Sequence, residues 1–130
     1  MPYDLLYINQ KNVSVEGEIS NVQEYIGNKA IMVVPLLAGS GMRIKIIEGM
    51  AYGKAIVSTP VGAEGVRYSK GKEIHIAEDA VSYAEAIIHL LENISLIKST
   101  GTEARKLAEK DYDNNKLIQG LIEFYKTLVK

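Results

Sequence analysis

Gly39-Ser40-Gly41-Met42-Arg43-Ile44-Lys45-Ile46-Ile47-Glu48 follows an apolar strand and opens a helix, and that order decides the fold. The strand is Ala30 to Val34, enriched in β-branched Ile31, Val33 and Val34, and Pro35 ends it because it cannot donate to a ladder. The glycines let the backbone turn tightly and approach a ligand. A helix is predicted from about Met42 to Tyr52, closed by Gly53. Its unpaired first-turn amides and its dipole favour an anion above the carboxyl end of the strand, whatever the side chains are.

Upstream, Leu5 to Ile8 and Val13 to Glu16 read as short strands joined by the polar segment Asn9 to Asn12. Ser20 and Gln23 have capping-box spacing, and Val22, Tyr25 and Ile26 give the following helix an apolar side before Gly27. Downstream, Ala55 to Ser58 is an apolar strand stopped by Thr59-Pro60. The loop Val61-Gly62-Ala63-Glu64-Gly65 then leads to a weak strand at Glu73 to Ile76. From Ala80 to Glu92 the residues Tyr83, Ala84, Ile87, Ile88 and Leu91 form an amphipathic stripe. Ser95 is the expected cap of a helix running to about Asp111, weakened by Gly101. A last helix, about Asn114 to Leu128, puts Leu117, Ile118, Leu121, Ile122, Tyr125 and Leu128 on one side. Strands alternating with helices at short spacing predict an α/β fold: a Rossmann-like three-layer sandwich with a parallel sheet of about four to five strands and a helical C-terminal third.

The bulk properties narrow the function. A chain of 130 residues makes one core of ordinary size. Its formal charge of −1 with scattered basic residues offers no electrostatic reason to bind nucleic acid or an anionic membrane. There is no cysteine, so disulfides and thiolate metal sites are excluded. The longest apolar stretch, Ala30 to Ala38, is less than half of the ~20 residues that span a bilayer, and Met1-Pro2-Tyr3-Asp4 does not resemble a signal peptide. A soluble cytoplasmic protein, or a soluble part of one, is expected, with peripheral attachment of a full-length enzyme to a membrane left open.

Around the predicted helix, Gly41, Lys45, Glu48 and Tyr52 fall within about 60° of one another. Ile44, Ile47 and Ala51 form a neighbouring stripe suited to the core. Lys45 and Glu48 could be a simple ion pair on a solvated face, worth ~0.2 to 0.5 kcal/mol. The sharper reading sets Lys45 against phosphate oxygens and lets the Glu48 carboxylate accept from two ribose hydroxyls. The run is not a P-loop, since no G-K-[ST] follows at the required offset, and Ile44 stands where a dinucleotide fingerprint has its third glycine.

Val34-Pro35-Leu36-Leu37 and the run from Gly39 through Glu48-Gly49-Met50-Ala51-Tyr52-Gly53-Lys54-Ala55-Ile56-Val57-Ser58-Thr59 resemble the donor-binding signature of the group 1 glycosyltransferases, and Gly62-Ala63-Glu64-Gly65-Val66 continues the match. The likeness extends from about Val15 to the C-terminus, including the Tyr112 region and the Phe124-Tyr125 ending. It implies a retaining enzyme of GT-B architecture, whose C-terminal Rossmann-like domain binds a nucleotide-diphosphate sugar. Of the family's paired glutamates, Glu48 matches the one on the ribose, whereas the one near the donor sugar would fall at Ser40. Amides around Gly39, Ser40, Gly41 and Met42 would meet the diphosphate. Gly17, Glu18 and Ile19 match the turn beside the nucleobase, and Glu64 lies in a loop near the same cleft.

The resemblance also implies what is not here. The family's N-terminal acceptor domain, and an arginine and lysine near the start of the donor domain, have no counterpart, so residues 1–130 read as a single, partial nucleotide-sugar-binding domain, a fragment inactive by itself. Arg43 and Lys45 are the candidates to replace those cations, and Lys45 to stabilise the leaving diphosphate. No cofactor and no metal is expected beyond the donor itself. The expected partners are the donor and the missing acceptor domain, with self-association through exposed apolar helix faces. The alternative is a non-catalytic Rossmann-like interaction module. His75 and His89 lack metal-ligand spacing, and Tyr112 and Tyr125 read as packing anchors.

Overall fold

The computed structural model describes Ile8 and residues 10–129. In chain order the elements are α1 (Val22–Gly27), β1 (Ile31–Val34), α2 (Ile44–Ala51), β2 (Ala55–Ser58), β3 (His75–Ile76), α3 (Ala80–Leu91), α4 (Ile94–Asp111) and α5 (Asn114–Leu128). Among the described residues the sheet has three parallel strands in the order β1-β2-β3. Ile31 to Val34 pair in register with Ala55 to Ser58, and Val57 and Ser58 with His75 and Ile76.

The central strand β2 is buried throughout and feeds two cores by simple alternation. Ile56 joins Val34, Ile46, Met50, Ile74 and Ala104 on one face, under α2 and α4. Ala55 and Val57 join Ala77 and Leu90 on the other, with half-buried Tyr83 and Ile87 of α3. Helices on both faces of a parallel sheet make the expected three-layer sandwich. The sheet is smaller than the four to five strands expected. Val13 to Glu16 has no strand partner, and Leu5 to Ile8 lies outside the described residues except for Ile8.

Several local expectations shift by a residue or two because a different side chain reaches the free amides. Asn21, not Ser20, caps α1 by accepting from the Glu24 amide at 3.1 Å. Asn93, not Ser95, caps α4 by accepting from the Leu96 amide at 3.2 Å, while Ser95 Oγ donates to the same Asn93 oxygen. Asp79 completes a capping box at α3, accepting from the Val81 and Ser82 amides at 2.9 Å while Ser82 Oγ accepts from the Asp79 amide. Those backbone hydrogen bonds, that from Ser82 first, hold the Asp79 carboxyl below the usual aspartate range.

The buried side of α2 differs from the predicted stripe. Ile46, Gly49 and Met50 are buried, whereas Ile44 is 71% exposed, Ala51 is exposed and Ile47 only half-buried. The cause is packing. Gly49 offers no Cβ and lets α2 settle against the side chains of Met32 and Ile56. At Gly101 of α4, which sequence alone marks as a weak point, a Cβ would collide with the Gly53 carbonyl, so glycine is what lets α4 close over the turn from α2 to β2. Tyr112 packs against the same core as expected, but Tyr125 is exposed and touches Phe124 edge-on at 5.9 Å.

Candidate functional site

The carboxyl ends of β1 and β2 are stitched together before the glycine run begins. The Val34 carbonyl accepts from the Tyr83 hydroxyl at 3.0 Å and from Ser58 Oγ at 3.3 Å. Burial pushes the Tyr83 phenol up, so it keeps its proton for this bond. Thr59 Oγ1 donates to the Leu36 carbonyl and accepts from the Gly62 amide at 2.9 Å, fixing the loop after β1 against the loop after β2. Both loops are thus positioned by buried hydroxyls at the top of the sheet.

Between them lies the predicted site. Gly39 and Gly41 have φ of 132° and 82°, conformations that side-chain-bearing residues rarely adopt. The Arg43 guanidinium occupies the space where a Cβ of Gly39 would stand, and Arg43 Nε is buried without an acceptor. Helix α2 begins at Ile44, two residues later than predicted, with Arg43 as its N-cap residue and no side chain capping it. The Ile46 amide donates to the Arg43 carbonyl at 2.9 Å, and the Ile44 and Lys45 amides are the ones left open to an anion. Lys45 and Glu48 are both exposed, and among the described residues neither has an ion-pair or side-chain hydrogen-bond partner, so the simple salt-bridge reading finds no contact here. Tyr52 sits on the same stripe, 36% exposed.

Gly39, Ser40, Gly41, Met42, Arg43, Lys45 and Glu48 are thus gathered at one end of the sheet. Gly17, Glu18 and Ile19 precede α1 in a separate place. Gly17 and Ile19 line a hollow of about 450 Å³, and Glu18 and Ile19 a neighbouring one of about 330 Å³. Tyr25, which sequence alone places merely on the apolar side of α1, lines both hollows, with the Lys29 ammonium 4.4 Å from its ring centre. Lys54 anchors this part of the chain, donating to the carbonyls of Gly27 and Lys29 at 2.8 Å. A third hollow of about 820 Å³ runs from Met42, Ile44 and Gly65 to Arg67, Tyr112 and Leu117. The Arg67 amide donates to the Tyr112 hydroxyl at 2.9 Å there. Glu64, a minor candidate from sequence, accepts from the Gly41 amide at 3.2 Å.

Residues 3–93 match the family model described as glycosyl transferases group 1, which is more than half of the chain. This chain belongs to the group 1 glycosyl transferases. An uncharacterized 44.6 kDa protein in the cps region of Klebsiella pneumoniae is 32% identical over 115 residues, covering 88% of this chain and 30% of that protein. The chain therefore spans about a third of the length of this relative. Among solved structures, a sucrose-phosphate synthase from Thermosynechococcus elongatus superposes with a TM-score of 0.71 at 20% identity, over 81% of this chain and 27% of that one. The C-terminal domain of a glycosyl transferase group 1 family protein from Francisella tularensis gives 0.64 at 20% identity, over 76% of this chain and 53% of that one. At that identity the two structures speak to fold, and they support the expected GT-B type of domain. No single helix among the described residues is long and apolar enough to cross a membrane.

Proposed function

We propose that this group 1 glycosyl transferase chain is the nucleotide-sugar-binding part of a retaining enzyme, and that it binds the donor without transferring it. The observation that carries this reading is the uncapped start of α2 beneath the glycine run, with unpaired Lys45 and Glu48 on the exposed stripe that follows. The amides from Gly39 to Lys45 serve the diphosphate. Lys45 and the half-buried Arg43 offset the charge that grows as the nucleoside diphosphate leaves the anomeric carbon. Glu48 accepts from the ribose hydroxyls, and the turn Gly17-Glu18-Ile19 borders the base. Helix and cations supply the stabilisation without a metal. The acceptor face comes from a domain outside this chain, which has a cytoplasmic setting.

Titration of the chain with UDP, GDP, ADP and their sugars tests this reading. One nucleotide should bind, and Glu48→Ala should weaken it roughly ten- to a hundredfold, the loss expected when a charged acceptor of about 1.5 to 3 kcal/mol is removed. Absence of binding by every nucleotide in a folded sample would favour the non-catalytic interaction module, for which the bare apolar side of α5 is the supporting observation.

A further inference from the structure

The proposed diphosphate site holds an anion of its own. Across 23 positions of sequence, Glu64 Oε2 accepts from the Gly41 amide at 3.2 Å, so a carboxylate stands at a donor that the diphosphate reading gives to a phosphate oxygen. The contact is built by the approach of the two loops: Gly65, with φ of 78°, lies against Met42, and a Cβ there would come within 3.2 Å of the Met42 side chain. Glu64 is exposed, so it can swing into water at the cost of one exposed hydrogen bond. The neighbouring Arg43 Nε is buried and lacks an acceptor, so a second donor of this loop is left unpaired beside the one that Glu64 takes.

One N–H cannot serve both anions, and a carboxylate beside a diphosphate repels it. We propose that Glu64 is a charge gate: it holds the Gly41 amide, is displaced when the diphosphate enters, and sets the selectivity of the loop by charge. A free nucleoside diphosphate carries more negative charge than its sugar ester, so the gate penalises the leaving product more than the incoming donor. The inference rests on the donor reading above and adds a residue whose removal strengthens binding.

The test compares the whole chain with Glu64→Gln and Glu64→Ala, using UDP, GDP, ADP, their glucose esters and inorganic pyrophosphate, with binding followed calorimetrically and at the Gly41 amide by NMR. Gln keeps the shape and the acceptor oxygen while removing the charge. Both variants should bind the preferred diphosphate roughly fivefold more tightly, the free diphosphate gaining more than the sugar ester, and the gain should shrink with added salt. Unchanged or weaker binding by both variants, in a chain that binds nucleotide and loses it with Glu48→Ala, overturns the gate and leaves the donor reading standing. If no nucleotide or pyrophosphate binds wild type or variant, the donor reading falls and the gate with it.

Discussion

The two C-terminal helices, α4 and α5, contrast in a way that composition does not foretell. Helix α4 buries small residues, Thr100, Gly101, Ala104 and Ala108, and packs on the sheet and on α2. Helix α5 carries far larger apolar side chains, among them Leu117, Ile118, Leu121, Ile122, Phe124 and Tyr125, and buries none of its residues. Small side chains win the interior because they let backbones approach within contact of one another. Large ones gain burial only if a surface of matching shape is present. The stripe on α5 is thus a face without a partner among the described residues, larger than scattered surface apolar residues would explain.

The sharpest way to break this contrast is at Gly101. Replacing it with valine puts side-chain atoms into the Gly53 carbonyl, and the gain in helix propensity over glycine, roughly 0.3 kcal/mol for a β-branched residue, is too small to offset that overlap. A loss of about 2 to 4 kcal/mol in chemical denaturation is expected, and a neutral result would show that α4 does not depend on close approach. The converse test is on α5. Ile118→Glu with Leu121→Glu should leave the unfolding free energy within about 0.5 kcal/mol of wild type while suppressing any self-association seen by sedimentation. A large destabilisation would mean that α5 is covered after all.

A smaller effect is expected where α4 meets β3. His75 Nε2 lies 3.3 Å from the hydroxyl of buried Thr100, and burial, followed by repulsion from His89, lowers the imidazole pKa from 6.5. The unfolded chain therefore binds more protons than the folded one between the lowered value and 6.5, so stability should rise as pH climbs through that window. Denaturation of His75→Gln at several pH values should flatten this slope.

How much was legible in the sequence depends on whether a feature is local. The strands Ile31–Val34 and Ala55–Ser58 and the helix Asn114–Leu128 were readable because apolar runs and breakers sit next to one another in the chain. The sequence points to caps at Ser20 and Ser95, whereas Asn21 and Asn93 cap the helices, because their side-chain oxygens lie at suitable offsets too and backbone geometry selects between them. The core side of α2 is not readable from the pattern because Ile44, Ile46, Ile47, Met50 and Ala51 spread over about 160° of the helix, wider than the side that packing buries. In such a helix periodicity cannot choose the buried face, and contact with Met32, Ile56 and α4 does.

Sequence by itself determined the alternation of strands and helices, the glycine run with its anion-favouring helix start, and membership of the group 1 glycosyl transferases, since each rests on neighbouring residues or on a contiguous motif. Only the tertiary structure decided which side of α2 is buried, why Gly101 must lack a side chain, and that Glu64 rests on the Gly41 amide. Those facts depend on the distance between segments far apart in the chain, which packing sets and no local pattern encodes.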